Sequence, residues 1–123
     1  MGTKRVAIIN NDASANRALG RLLRCAGFEP HGFDCAESFI ANSARESFVC
    51  VVVDTQLSDA SGLDLHQYLL AQGRQIPVIF IIAGDDPNYR AESLRGCSVF
   101  RKTDRGALIV EALRRATAMY GAG

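Results

Sequence analysis

The chain has 123 residues, which suits one domain and leaves little room for a second. Apolar residues make up 48% of it, so a packed core is expected rather than disorder. The 14 Lys and Arg against 13 Asp and Glu give a net charge of +1, which supplies no global drive toward nucleic acid or an anionic membrane.

No apolar segment approaches transmembrane length, and the first apolar run, Val6 to Ile9, is too short for a secretory signal. The four cysteines, Cys25, Cys35, Cys50 and Cys97, include no C-x-x-C pair. Cys25 and Cys50 fall in apolar patterns and are expected to be buried. Together these features point to a reducing cytoplasm, with no disulfide framework and no zinc site.

In chain order, Val6-Ala7-Ile8-Ile9 predicts strand one. Ala15, Ala18, Leu19, Leu22, Leu23 and Ala26 recur at helical spacing and predict helix one, with Gly27 as its stop. Phe28 to Phe33 predicts strand two, and Pro30 within it, lacking a ladder donor, places that strand at an edge. Phe39 and Ile40 mark a short second helix. Strand three runs from about Phe48 to Asp54, through an unbroken run from Val49 to Val53 that reads as buried on both faces.

A loop-like Ser58-Asp59-Ala60-Ser61-Gly62 follows. Helix three begins near Ser61, with Leu63, Leu65, Leu69 and Leu70 as its apolar set. Pro77 precedes the second fully apolar strand, Val78 to Ile82. Asp85 and Asp86 read as solvated acids of a polar loop, before a weak fourth helix from Tyr89 to Arg95. Ser98 to Arg101 is a short fifth strand. Asp104 can N-cap a last helix with Ala107, Leu108, Leu113 and Ala116 as its stripe and Tyr120 at its end.

Alternating strands and helices predict an α/β fold, a doubly wound five-stranded parallel sheet with five helices. Central positions for strands one, three and four give the flavodoxin-like order 2-1-3-4-5. The domain is read as residues 1–123, with 121–123 a tail or the start of a linker. Ligands of such sheets collect at the carboxyl ends of the strands, at the switch point between strands one and three. Asn10-Asn11-Asp12, Asp54, Ile82-Ala83 and Arg101-Lys102 end four of the five strands. His31 and His66 sit apart and are read as surface residues.

At this point the whole chain resembles a receiver domain of a two-component response regulator. The resemblance rests on Val6 to Asp12 with Arg17-Ala18-Leu19, on Val51 to Asp54 through Ser61-Gly62-Leu63-Asp64-Leu65, on Pro77 to Ile81, and on Lys102. In that family the Asp ending strand three accepts a phosphoryl group from a histidine kinase. Two acids ending strand one help hold Mg²⁺, a Thr or Ser ending strand four bonds the phosphoryl group, and a Lys ending strand five pairs with it. The resemblance therefore implies Asp54 as the acceptor position and Lys102 as its partner. It implies Asn11, Asp54 and the main chain of Gln56 as the Mg²⁺ positions, with Asp12 a weaker candidate whose plainer role is a helix cap.

Several positions depart from the pattern. Asn10 and Asn11 stand where the family has acids, and Asp12 carries its charge one place later. Ile82, then Ala83, stands at the hydroxyl position, Thr103 replaces a proline after Lys102, and Leu57-Ser58 stands where Met-Pro is frequent. Phe100 is the candidate for the aromatic switch position, and Gly96 to Lys102 is one residue short. Loss of two carboxylates and a hydroxyl predicts weak or absent Mg²⁺ and slow phosphoryl chemistry.

The expected function is signalling by an atypical or pseudo-receiver domain, through protein–protein contacts on the face of the fourth helix, strand five and the last helix. The alternative is a functional phospho-switch at Asp54. A small flavodoxin-like enzyme is disfavoured, since neither G-x-G-x-x-G nor a P-loop occurs and Gln56 stands where an aspartate-nucleophile phosphatase needs an acid. Expected partners are a histidine kinase or another signalling protein, an output domain beyond the C-terminus, and a second copy through the same face. Direct nucleic-acid binding is not expected, because Arg105, Arg114 and Arg115 of the last helix are offset by Asp104 and Glu111. No membrane association is expected.

Overall fold

In the computed structural model the described residues are 4–43, 47–55, 57, 59, 61–73, 76–82, 89, 97–102 and 106–121. The elements run β1 (Arg5–Ile9), α1 (Ala13–Cys25), β2 (Glu29–Phe33), α2 (Ala36–Ser43), β3 (Cys50–Asp54), α3 (Gly62–Ala71), β4 (Val78–Ile82), β5 (Ser98–Arg101) and α4 (Gly106–Gly121). All four strand pairings are parallel, in the order β2-β1-β3-β4-β5. The predicted fourth helix lies outside the described residues except for Tyr89, so the predicted last helix is α4.

Each sheet face carries one apolar layer. Val51, Val53, Phe80 and Ile82 pack with Phe39 of α2 and Leu65 and Leu69 of α3. Val6, Ile8, Val52 and Ile79 pack with Leu23 of α1 and Ile109 and Leu113 of α4. Strand alternation sends successive side chains to opposite layers, and in β3 both layers are full, hence its unbroken apolar run. Pro30 sits in edge strand β2, where its missing N–H interrupts no outer ladder.

The structure shifts several sequence expectations. Strands two and three start at Glu29 and Cys50, while Phe28 and Phe48 are buried just before them. In α4 the buried side is Ile109, Leu113 and Thr117, and Ala107 and Leu108 are exposed. Thr117 hides its polarity by donating its hydroxyl to Leu113 O at 2.8 Å. Leu70 is exposed beside buried Leu69, and Cys25 is exposed at the end of α1. Cys50 is buried as expected, and that burial pushes its thiol pKa up to about 12.

α1 shows how local sequence fixes a boundary. Asp12 caps its start, accepting from Ser14 N at 2.9 Å and Ala15 N at 3.2 Å. At its end Phe28 N donates to Leu23 O at 2.9 Å and Gly27 N to Arg24 O at 3.1 Å, a Schellman motif with Gly27 at φ +92°. Leu23 and Phe28 bury together and close the motif.

Two glycines of this segment should therefore respond with opposite signs. Gly27→Ala forces a side chain into the left-handed region and should cost about 1–2 kcal/mol. Gly20 lies inside α1 with only ordinary contact available to a new Cβ, 3.7 Å from Pro30 Cγ. Gly20→Ala should therefore leave stability unchanged or raise it by up to about 1 kcal/mol. Urea unfolding of the two variants checks this, and equal losses would contradict it.

Candidate functional site

The loop after β1 is held by its own polar groups. Asn10 Oδ1 accepts from Asp12 N at 2.9 Å, an Asx turn that leads into the Asp12 cap. Asn16 Nδ2 donates to Asn10 O at 2.9 Å and Phe33 O at 3.3 Å, pinning the loop to α1 and β2. Asn10 Oδ1, Asp12 Oδ1 and Asn16 Nδ2 thus serve the backbone.

β3 delivers Asp54, only 2% exposed, to the sheet edge. Thr55 then donates both its backbone N–H, at 3.1 Å, and its hydroxyl, at 3.4 Å, to Ile81 O of β4. Gly62 allows the return of the chain: a Cβ there would stand 3.1 Å from Phe80 and 3.3 Å from Thr55 Cα. Ser61 and Asp64 form a capping box on α3. Asp59 reaches back to cap α2, accepting from Ala36 N at 3.0 Å and Glu37 N at 2.9 Å. The Glu37 N–H first, then that of Ala36, holds the Asp59 carboxyl below its usual range.

β5 delivers Lys102. Its backbone N–H donates to Ile82 O at 2.9 Å, and its Nζ lies 3.0 Å from Asp54 Oδ2. The partners differ in burial, with 46% of the Lys102 side chain exposed. The two principal residues expected from sequence are thus in direct contact. A charge as buried as Asp54 needs such a partner, because leaving it unpaired carries the full desolvation penalty.

The other expected residues are placed differently. Asn11 is exposed and borders a neighbouring depression with Arg17 and Asp34, not the cavity beneath Asp54. Asp12 is spent as the cap of α1, though it touches the cavity rim. Gln56 and Thr103 lie outside the described residues. Ile82 points into the α2/α3 layer, and it is Ile81 that shares the Asp54 side. Phe100 packs with Ile79 and Ile81 in the α1/α4 layer, whereas Val99 takes the opposite face beside Ile82.

Mg²⁺ needs several oxygen ligands, usually with carboxylates among them. The described residues contain no group of three His, Cys, Asp or Glu able to hold a metal. Asp54 is committed to Lys102, Asp12 to α1, and Asn10 Oδ1 to the turn. This donor set fits the ion poorly.

The histidines are less exposed than expected. His31 Nε2 lies 2.6 Å from Glu29 Oε2, and its ring packs edge-on against Phe48. His31 first, then Arg5, holds the Glu29 carboxyl below its usual range. His66 packs on Phe80 and stands 3.5 Å from Cys97 Sγ. Burial lowers the His66 pKa and raises that of Cys97, so both are held toward their neutral forms.

Arg101, read with Lys102 as the end of the fifth strand, borders the cavity beside it. Sequence reasoning missed one feature. Tyr89 is buried, its ring against Phe80 and its hydroxyl accepting from Leu63 N at 3.2 Å.

Among known proteins, the response regulator protein TodT of Pseudomonas putida is 29% identical over 113 residues, covering 90% of this chain and 50% of the relative. The transcriptional regulatory protein FixJ of Bradyrhizobium diazoefficiens is 29% identical, covering 94% and 60%. The chain thus spans about half the length of the curated relatives it matches. The solved structure of response regulator StyR superposes with a TM-score of 0.87 at 28% identity, over 96% of this chain and 61% of that one. A receiver domain of a Francisella response regulator gives 0.87 at 15% identity, over 96% and 99%, and shows the shared fold. The family described as the response regulator receiver domain matches residues 6–99. With a match of that extent, on a sheet of this strand order, the chain belongs to the response regulator receiver domain family.

Proposed function

We propose that this receiver domain is an atypical one, a pseudo-receiver that signals through protein–protein contacts and does little phosphoryl chemistry. The observation that carries the reading is the pair of amides, Asn10 and Asn11, where the family has acids, with Asn10 Oδ1 taken up by Asp12 N. Asp54 is bound to Lys102 at 3.0 Å, and Asp12, which lines the same depression, caps α1. The metal and the phosphoryl group would have to displace these contacts without the acids and hydroxyl that normally reward them. Its work is signalling rather than metabolic catalysis.

The second reading, a phospho-switch fed by a histidine kinase, is favoured by the same pair. The acceptor-position carboxylate and a lysine that could bind a phosphoryl oxygen are both in place. Either reading suits a regulatory protein with an output domain beyond residue 123, in keeping with relatives about twice as long. The β5–α4 side is the proposed surface for a partner or a second copy. No helix among the described residues is long and apolar enough to cross a membrane, and a cytoplasmic setting suits the proposed role.

Incubation with a small phosphodonor and Mg²⁺ should label Asp54 slowly and incompletely by intact mass spectrometry. Submillimolar Mg²⁺ should not saturate the site, and Asn11→Asp should recover weak binding. Rapid, complete labelling that disappears in Asp54→Asn would establish the phospho-switch instead.

The pair itself gives a stability prediction. Lys102→Met leaves a buried carboxylate unpaired and should cost about 1–2 kcal/mol, a value reduced by the exposure of Lys102. Asp54→Asn combined with Lys102→Met should cost less than the sum of the single changes. Urea unfolding of the four proteins in the cycle measures the coupling. Simple additivity would mean that the pair is not coupled.

A further inference from the structure

We propose that Asp59 couples the state of the Asp54 site to α2, so that the start of that helix reports what happens at Asp54. Both oxygens of Asp59 are taken up by α2. Oδ1 accepts from Ala36 N at 3.0 Å and Oδ2 from Glu37 N at 2.9 Å. The two N–H groups, Glu37 first and then Ala36, keep the carboxyl below its usual range, so it serves as an ionised acceptor.

α2 needs this distant acceptor. α1 and α3 are capped by the residues that precede them, Asp12 and Ser61. The residue before α2 is Cys35, whose sulfur is a weak acceptor and lies 3.5 Å from Ser38 N. The Ala36 and Glu37 N–H groups have no acceptor within their own helix. They rely on a carboxylate that lies 23 and 22 residues later in the chain. α2 has eight residues, too few for a helix to be stable alone. Ala36 and Phe39 bury its inner side against the sheet, and Asp59 fixes its start.

The other end of the coupling is the chain at Asp54. Asp59 follows Asp54 by five residues, in a loop that is closed at its base. Gly62 N donates to Thr55 O at 3.4 Å, and Thr55 is bonded in turn to Ile81 O. Leu57 packs on the α2/α3 layer. A loop this short has little slack to absorb a shift at its first residues. When Lys102 lets go of Asp54, the adjustment of residues 54–55 passes along the loop to Asp59 and so to α2. β5 and Lys102 lie on one side of β3, whereas α2 follows edge strand β2 on the other. The coupling therefore carries the state of the site away from the β5–α4 side. It rests on the reading of Asp54 as the point of input, and it holds whether that input is a phosphoryl group or a partner.

Amide ¹H–¹⁵N spectra and hydrogen exchange of the full chain test it, in the parent protein, Lys102→Met, Asp59→Ala and the double variant. Lys102→Met should shift the Ala36 and Glu37 amides as well as that of Thr55, and speed exchange at Ala36 and Glu37 several-fold. In the Asp59→Ala background the same change should still shift Thr55 but leave Ala36 and Glu37 unmoved. Asp59→Asn, which keeps one acceptor oxygen, should give an intermediate response. No response to Lys102→Met at Ala36 and Glu37, or an equal response with and without Asp59, would overturn the coupling and leave Asp59 a helix cap only. If Lys102→Met does not fold, Asp54→Asn perturbs the same pair from its other member and is read in the same way. Neither change involves phosphoryl transfer, so the outcome is independent of how fast Asp54 is labelled.

Discussion

The site depends on one electrostatic constraint: a carboxylate ends the most buried strand of the sheet. β3 is buried over its whole length, so Asp54 leaves water with its backbone. An isolated charge there would neutralise or unfold its surroundings. Lys102 removes that penalty, and the geometry of doing so organises the edge. Asp54 and Lys102 belong to strands separated by β4, about 9–10 Å apart at ordinary strand spacing. Only a long side chain crosses that distance, and its stem passes over the end of β4.

That crossing explains the polar wiring around it. Lys102 N bonds Ile82 O, and Thr55 bonds Ile81 O twice, so β3 and β5 are both stitched to the last residues of β4. On the other side the Asn10–Asp12–Asn16 contacts fix the β1 loop. Amides suit this arrangement better than acids would. An amide at residue 10 can accept the Asp12 N–H without adding a negative charge near Asp54. With fewer acids close by, Lys102 is shared less, and the resting state of the site is internally neutralised.

Much of this was legible in the sequence because the signals were local or followed from full burial. The Val49–Val53 and Val78–Ile82 runs needed no partner information to be read as central strands. Pro30 marked an edge, and Gly27 and Asp12 marked the ends of α1. The errors have physical causes. The phase of α4 was obscured because Thr117, a polar residue, takes a buried position by bonding its own backbone. Leu70 and Leu108 are apolar yet exposed, which is ordinary for surfaces and defeats a simple stripe. Asp59 caps a helix 23 residues earlier in the chain, a tertiary bond that no local pattern announces.

The cavity was invisible for a related reason. Ala15, Ala18 and Leu22 satisfy the helical stripe, and a stripe reports direction but not volume. Two helices can both face the sheet and still leave space if the residues between them are small. Here α1 contributes alanines at the end of the seam nearest Asp54, Leu22 packs closely on Gly106 of α4, and Leu23 and Leu113 close the seam further down. The packing is therefore graded, tight toward the amino ends of the strands and loose toward their carboxyl ends. Looseness at that end allows side chains at the mouth to rearrange without disturbing the buried layer below. A domain whose charges are already paired at rest needs such freedom if any input, phosphoryl or partner, is to separate Lys102 from Asp54.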